Sequence, residues 1–277
     1  MSKALLISIS SDIATALAKE LLNEGYDLIG TSRNPHFSLI PSDKLVSCDL
    51  KDRTSTKEAA QKLIPLCQNW DLIICSAGAL EPIGKFSDVD FDEWQESLEI
   101  NFVNQLRIVH SLLPHRNLTS LLPQPTVLFF AGGGTNNAPT HYSSYILSKI
   151  ALTKMCELLA AELPDIRFLI IGPGWVETKI HATTFAAGVK AGANLSKAEQ
   201  VFKDKIFVSM EEVVKCCLHL IKTPCNAVSG RNFSVQYDSW SDEELGDALL
   251  ASPNMYKLRR SGNEWKASLM RPITNII

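Results

Sequence analysis

Tyr145 and Lys149, four positions apart, are the pair of side chains in this sequence best suited to moving a proton. They fall in Tyr145-Ile146-Leu147-Ser148-Lys149, and the stretch continues through Ala151, Leu152, Met155, Leu158 and Leu159 at helical spacing. Phenol and ammonium therefore project from one helix face. A free phenol titrates near about 10, and a nearby cation favours the phenolate, so the pair makes a usable acid or base closer to neutrality. Tyr142 lacks such a partner, because its fourth neighbour is Ile146. Tyr-x-x-x-Lys is a short pattern that also arises on ordinary amphipathic helices, so its surroundings decide what it means.

Those surroundings alternate short apolar runs with longer amphipathic ones, the rhythm of β-α units around a parallel sheet. Strands are expected near 3–9, 27–32, 45–48, 71–75, 125–131, 166–171 and 232–235, and helices near 12–24, 54–67, 89–113, 142–163 and 209–222. The fold class is α/β, a doubly wound parallel sheet in three layers (α/β/α). No Pro- or Gly-rich linker divides the chain, so residues 1–277 read as one domain. Two stretches break the rhythm, 179–207 and a tail from 238 to 277, and these are where substrate specificity or subunit contacts are expected.

Composition narrows the classes further. The chain has 277 residues, 45% of them hydrophobic and 21% charged, with a net charge of −3, which argues against nucleic-acid binding. No apolar run approaches the roughly 18 to 20 residues needed to span a bilayer, and the start runs directly into a short apolar segment, so a cytoplasmic protein is expected. The 7 cysteines are odd in number and scattered, which fits reduced, buried thiols. Cys216-Cys217 has no Cys-x-x-Cys or His-x-x-x-His beside it, and no metal site is expected.

Four further segments fall in order around the tyrosine: Ser47-Cys48-Asp49-Leu50, Cys75-Ser76-Ala77-Gly78, Ile100-Asn101-Phe102 and Pro173-Gly174-Trp175-Val176-Glu177-Thr178. Together with Tyr145 and Lys149 they resemble the motifs of the short-chain dehydrogenase/reductase family over roughly residues 3–178. The resemblance implies a Rossmann-type fold that binds NAD(P). It also implies hydride transfer between nicotinamide and a substrate carbon, with Tyr145 exchanging a proton with the substrate oxygen. By the same resemblance Lys149 lowers the tyrosine's pKa and binds the nicotinamide ribose, and Asn101 holds a water of the proton relay. Asp49 and Leu50 would meet the adenine, Ala77 and Gly78 would line the cofactor, and Pro173, Gly174, Val176 and Thr178 would lie beside the nicotinamide. Residues 179–207 would form a lid over the substrate, and a homodimer or homotetramer is the default.

Two departures stand out. Where the family places a serine 13 residues before the tyrosine, this chain has Gly132, in Ala131-Gly132-Gly133-Gly134-Thr135. Thr135 is the nearest hydroxyl and the candidate substitute. Backbone N–H groups of the glycine run are an alternative, and a plain tight turn is a third reading. The family's Thr-Gly-x-x-x-Gly-x-Gly turn aligns with Ile7-Ser8-Ile9-Ser10-Ser11-Asp12-Ile13-Ala14, with every glycine replaced. Ser8, Ser10, Ser11 and Ile13 are the candidate cofactor contacts there. Asp12 would repel a pyrophosphate, yet an Asp at a helix start can cap free N–H groups and favour the helix dipole.

Thr31-Ser32-Arg33-Asn34 follows the second strand, where an acidic residue would receive the ribose of NAD. A hydroxyl and a guanidinium at Ser32 and Arg33 suit a 2′-phosphate better, so NADP is expected over NAD. The stretch after Thr178 carries Lys179, Lys190, Lys197, Lys203 and Lys205 against Glu199 and Asp204, which would favour an anionic substrate, although a solvated helix face explains the charges equally well. A second basic group, Lys257, Arg259 and Arg260, lies in the tail, and its apolar neighbours Met255, Tyr256 and Leu258 would pack between subunits or rim the same site. The expected function is an NADP-dependent carbonyl reductase or alcohol dehydrogenase acting on a polar, sugar-derived or phosphorylated small molecule. The alternatives are a non-catalytic dinucleotide-binding regulator or scaffold, and an epimerase or dehydratase using the same Tyr and Lys. The short chain argues against the last of these.

Overall fold

Leu72–Cys75 and Thr126–Phe130 are buried at every residue, as central strands of a parallel sheet covered on both faces must be. The computed structural model describes residues 1–119 and 123–261. In chain order the elements are β1 (Lys3–Ile7), α1 (Asp12–Asn23), β2 (Asp27–Ser32), β3 (Leu45–Ser47), α2 (Arg53–Leu66), β4 (Leu72–Cys75), α3 (Phe91–Leu98) and α4 (Asn104–Leu112). They continue with β5 (Thr126–Phe130), α5 (Ser143–Glu162), β6 (Arg167–Gly172), α6 (His181–Ala187), α7 (Ala193–Asp204), α8 (Met210–Lys222), β7 (Arg231–Ser234) and α9 (Leu245–Ala251).

The 7 strands form one sheet in the order β3-β2-β1-β4-β5-β6-β7, and every pairing is parallel. Strand order reverses between β1 and β4, where Ile7 pairs with Cys75, and a crevice opens at the carboxyl ends of strands at such a point. Alternation along each strand sends Ala4, Leu6, Ile74 and Leu128 to one face, packed under α1, α8 and α9. Leu5, Ile7, Ile73 and Phe129 go to the other face, under α2, α4 and α5. This is the doubly wound α/β/α arrangement expected from the alternating pattern.

Arg167 shows how far local polar chemistry is matched. Buried at the start of β6, its guanidinium donates to Thr126 Oγ1, to the Thr223 carbonyl at 2.5 Å and to the Ile221 carbonyl. It thereby satisfies carbonyls that the end of α8 leaves free. Burial draws its pKa down to about 10. On β7, Arg231 does the same for the chain on either side, donating to the Ala227 carbonyl before the strand and to those of Leu249, Ser252 and Met255 in the tail.

Three differences from the sequence reading concern the site. The single helix expected over 89–113 is α3 and α4 joined by a π-helical turn, Glu99–Val103. Its apolar spacing is continuous enough to read as one helix, and the wider turn is not encoded in spacing. Residues 179–207 fold as α6, a short 3-10 turn at Gly188–Ala191 and α7. Of the tail, 238–261 contains α9, while 262–277 lies outside the described residues. All 7 cysteines are free, and all but Cys225 are buried. Among the described residues no His, Cys, Asp and Glu cluster could hold a metal, and no helix is long and apolar enough to cross a membrane.

Candidate active site

Tyr145 and Lys149 occupy the first two turns of α5, which packs across the sheet so that both face the carboxyl ends of β4 and β5. Lys149 is buried, 3% exposed, and its ammonium donates to the Ala77 carbonyl at 3.1 Å, just past β4. The same ammonium lies 5.7 Å from the centre of the Tyr145 ring. The sequence suggested that Lys149 would pull the phenol's pKa down. Here the direction is the opposite: burial pushes Tyr145 up to about 12 and draws Lys149 down to about 8. Desolvation penalises the charged form of each, and the lysine spends its one hydrogen bond on a carbonyl instead of the phenol. At neutral pH both groups hold their protons.

The glycine run after β5 is shaped around this pair. A Cβ on Gly132 would fall 2.9 Å from Lys149 Cγ and 3.1 Å from the Tyr145 hydroxyl oxygen. Gly134 has φ +97°, and a Cβ there would lie 2.5 Å from Ile146 Cγ2, whereas Gly133 faces open space. Two of the three glycines are thus demanded by the packing of α5, and the place of a serine side chain is taken up by Tyr145 itself. Thr135, the candidate substitute, lines the cavity described below.

Asn101 sits in the π-helical turn and is completely buried. Its Oδ1 accepts from the Ala79 amide at 2.9 Å, and its Nδ2 donates to the Ala79 carbonyl at 2.9 Å and to Ser97 Oγ at 3.1 Å. It therefore clamps the turn whose Ala77 carbonyl receives Lys149. π turns inside helices recur at functional sites because they re-aim one side chain. Gln105, which the sequence reading passed over, supports the same turn, donating to the carbonyls of Asn101 at 3.0 Å and Ala77 at 3.4 Å.

The β1–α1 turn keeps the backbone that glycines usually provide. Ser8 has φ +62°, the left-handed conformation, and its amide donates to Thr31 Oγ1 at 3.0 Å. Ser11 is the N-cap of α1, accepting from the Ala14 amide, so Asp12 is not the cap that the sequence suggested. Asp12 instead accepts from the Lys179 amide. Ser32 Oγ reaches Ser10 Oγ at 3.4 Å, holding the end of β2 against the turn. Arg33 follows on the exposed surface. Asp49 accepts from the Lys51 amide through Oδ1, and the Leu50 carbonyl accepts from Asn104.

These elements surround a cavity of about 820 Å³. Of the residues singled out in the sequence, Ser11, Ile13, Ala77, Gly78, Thr135, Tyr145 and Lys149 line it. So do Pro173, Gly174, Val176 and Thr178 from the segment after β6. Ser8, Ser10, Ser32, Arg33, Asp49, Leu50 and Asn101 stand outside its lining. Of the lysines beyond Thr178, Lys179 and Lys197 line the cavity, and Lys190, Lys203 and Lys205 do not. Trp175 stacks on His181 with ring centres 5.0 Å apart, and the Lys197 ammonium lies 5.9 Å from the Trp175 ring. His181 Nε2 pairs with the Val176 carbonyl at 2.9 Å, and burial draws its pKa down. Tyr142, set aside in the sequence, is a wall residue whose hydroxyl pairs with Thr184 Oγ1 at 2.9 Å. From the tail, Tyr256, Lys257 and Leu258 reach the same cavity, while Arg259 pairs with Glu157 on α5.

Comparison with known proteins agrees with this arrangement. The family model described as enoyl-(acyl carrier protein) reductase matches residues 8–237. An uncharacterized oxidoreductase of Schizosaccharomyces pombe is 31% identical over 113 residues, which is 41% of this chain and 44% of that protein's length. An NADPH-dependent pterin aldehyde reductase of Arabidopsis thaliana is 21% identical over 192 residues, 65% of this chain and 77% of the relative. Among solved structures, a short-chain dehydrogenase/reductase of Saccharomyces cerevisiae superimposes with a TM-score of 0.71 at 19% identity, covering 87% of this chain and 99% of the other. The family match runs from the β1–α1 turn past the last strand and takes in every segment that meets at the cavity except the tail residues Asp238 and Tyr256 to Leu258, so the chain belongs to the short-chain dehydrogenase/reductase family and is an NAD(P)-dependent oxidoreductase.

Proposed function

We propose that the protein is an NADPH-dependent carbonyl reductase for a small polar substrate that carries an anionic group. The observation that carries this reading is the enclosure of Tyr145 beside the buried Lys149 in a cavity of about 820 Å³ at the carboxyl ends of the strands. A phenol held up at about 12 keeps its proton at neutral pH, as an acid must if it is to protonate the oxygen of a reduced carbonyl.

The residues fit a dinucleotide. The N-terminus of α1, with its free amide groups, opens on the cavity at Ser11 and Ile13, which suits phosphate oxygens. Arg33 is exposed with no hydrogen-bond or ion-pair partner among the described residues, free to meet a 2′-phosphate, and the Arabidopsis relative is NADPH-dependent by name. When bound, NADPH supplies the hydride. Tyr145 gives the proton to the substrate oxygen, and Lys149, fixed by the Ala77 carbonyl, keeps a cation beside the phenol ring. Asn101 is a positioning residue, acting through the Ala79 turn. Thr135 or the Gly133 and Gly134 amides hold the substrate oxygen in place of the missing serine. Residues 179–207 form the lid. In it Lys197 attracts the anionic group, and the stack of its His181 on Trp175, just before it, receives a planar ring, in keeping with a relative whose name specifies a pterin aldehyde.

The test is oxidation of NADPH with a panel of aldehydes and ketones, including aromatic aldehydes with and without a carboxylate or phosphate and sugar-derived carbonyls. Turnover that drops at least 100-fold in Tyr145→Phe is expected. Turnover undiminished in that variant, or absence of binding to either NADPH or NADH, would remove the reading.

A further inference from the structure

Asp12 and Lys179 stand 167 residues apart in the chain and meet at the rim of the cavity. The Lys179 amide donates to Asp12 Oδ2 at 2.8 Å, and the Lys179 ammonium donates to the Ser10 carbonyl at 2.7 Å and lies 3.5 Å from Asp12 Oδ1. One side of this tie is the β1–α1 turn, where the first turn of α1 points its amides outward. The other side is the chain leaving β6, one residue past Thr178 and two before α6, so the tie sits at the root of the segment 179–207. Both residues line the cavity along with Ser11, Ile13 and Thr178.

The ion pair alone is weak, because the Lys179 side chain is 67% exposed and solvent screens it. The geometry is stronger than the charge count suggests, since a backbone amide points at the carboxylate and the ammonium points at a backbone carbonyl. Backbone is thus held to backbone across the gap through two side chains. A carboxylate at the start of α1 would by itself oppose an anion there, and the neighbouring ammonium offsets that charge.

We propose that Asp12 and Lys179 form a clasp across the mouth of the dinucleotide cleft, retaining bound cofactor and setting its rate of release. The clasp rests on the reading that this cleft takes NADPH. Release then requires the β1–α1 turn and the segment after β6 to part, which breaks all three contacts, and exchange is gated as it is by closing loops elsewhere. A second role of Asp12, simple repulsion of the pyrophosphate, predicts effects of opposite sign.

The experiment is stopped-flow release of NADPH from the full chain, followed by cofactor fluorescence, for the unaltered protein and for Asp12→Ala, Asp12→Asn, Lys179→Ala and the Asp12→Ala/Lys179→Ala double variant. A release rate at least threefold faster in Asp12→Ala and in Lys179→Ala is expected, with the double variant no faster than the quicker single. Asp12→Asn, which keeps an acceptor for the Lys179 amide, should fall between Asp12→Ala and the unaltered protein. Slower release and tighter binding in both Asp12 variants would overturn the clasp in favour of repulsion. Release unchanged in Asp12→Ala and Lys179→Ala would overturn it while leaving NADPH binding intact. Failure of the unaltered protein to bind NADPH would remove the clasp and the functional reading together.

Discussion

Gly132 and Tyr145 are in mutual steric contact: a methyl group added to the glycine would lie 3.0 Å from Tyr145 Cε1 and 3.1 Å from its hydroxyl oxygen. In this chain the glycine is the space the tyrosine needs, and a side chain at 132 must displace the phenol or Lys149. Gly132→Ser should therefore lower kcat/KM at least tenfold, about 1.4 kcal/mol of lost transition-state stabilisation, instead of restoring a serine-assisted site. Steady-state kinetics on whichever carbonyl the protein reduces best would decide it, and a gain in rate would show that the phenol can move aside at no cost.

Lys149 gives a prediction on stability and pH. Its pKa in the folded protein, about 8, lies below its ordinary value of 10.5. Below pH 8 it is protonated both folded and unfolded, and the native state bears the full cost of burying the charge. That cost falls away between pH 8 and 10.5 as the folded protein sheds a proton the unfolded chain still holds. Lys149→Met should then be more stable than the unaltered protein at pH 7, by about 1 to 3 kcal/mol, with the difference closing by about pH 10.5. Urea unfolding of the cofactor-free proteins across that range measures it. Tyr145 is common to both proteins and cancels.

Ser8 occupies a backbone conformation that costs an L-residue roughly 1 kcal/mol and glycine nothing. Ser8→Gly should raise unfolding stability by about 0.5 to 1 kcal/mol, and Ser8→Val should lower it by at least about as much, since a branched side chain is least tolerated at positive φ. Equal stability of all three in chemical denaturation would mean that the turn adopts a different conformation.

On the proposed reading, Arg33 distinguishes the two cofactors. If this exposed guanidinium is the group that receives the 2′-phosphate, Arg33→Ala should weaken NADPH binding about tenfold and leave NADH unchanged. Fluorescence titration with each cofactor reads this directly. A parallel loss for both would assign Arg33 a purely structural part.

Strand positions were legible because a parallel sheet buried on both faces writes itself as short apolar runs, as at Leu72–Cys75 and Arg167–Gly172. Tyr145, Lys149 and Ala77 were legible as motif residues, and they are the ones in contact. What escaped is what depends on distant pieces of chain. Asp12 drew notice as an odd residue in its turn, but its partner is 167 positions away and Lys179 looked like one of several lysines. The π turn at Asn101 left no mark in apolar spacing, and α6 and α7, short helices separated by Gly188 and Gly192 at positive φ, carry too little periodicity to declare themselves. The pKa of Tyr145 was misjudged because proximity of a cation was weighed without the burial that accompanies it.

Arg231 has a consequence for how specificity in this protein can change. It ties residues 249–255, through the three carbonyls of Leu249, Ser252 and Met255, to a strand at the edge of the sheet, and the chain just beyond brings Tyr256, Lys257 and Leu258 to the cavity. One wall of the site thus contains no strand and hangs from side-chain and single backbone ties: the Arg231 guanidinium, the Asn232 amide donating to the Tyr256 carbonyl at 2.9 Å, and the Arg259–Glu157 pair. The side chains of Lys257 and Leu258 can vary in size and charge without disturbing a hydrogen bond of the sheet, so this wall can be remodelled for a new substrate while Tyr145, Lys149 and their supports stay where they are.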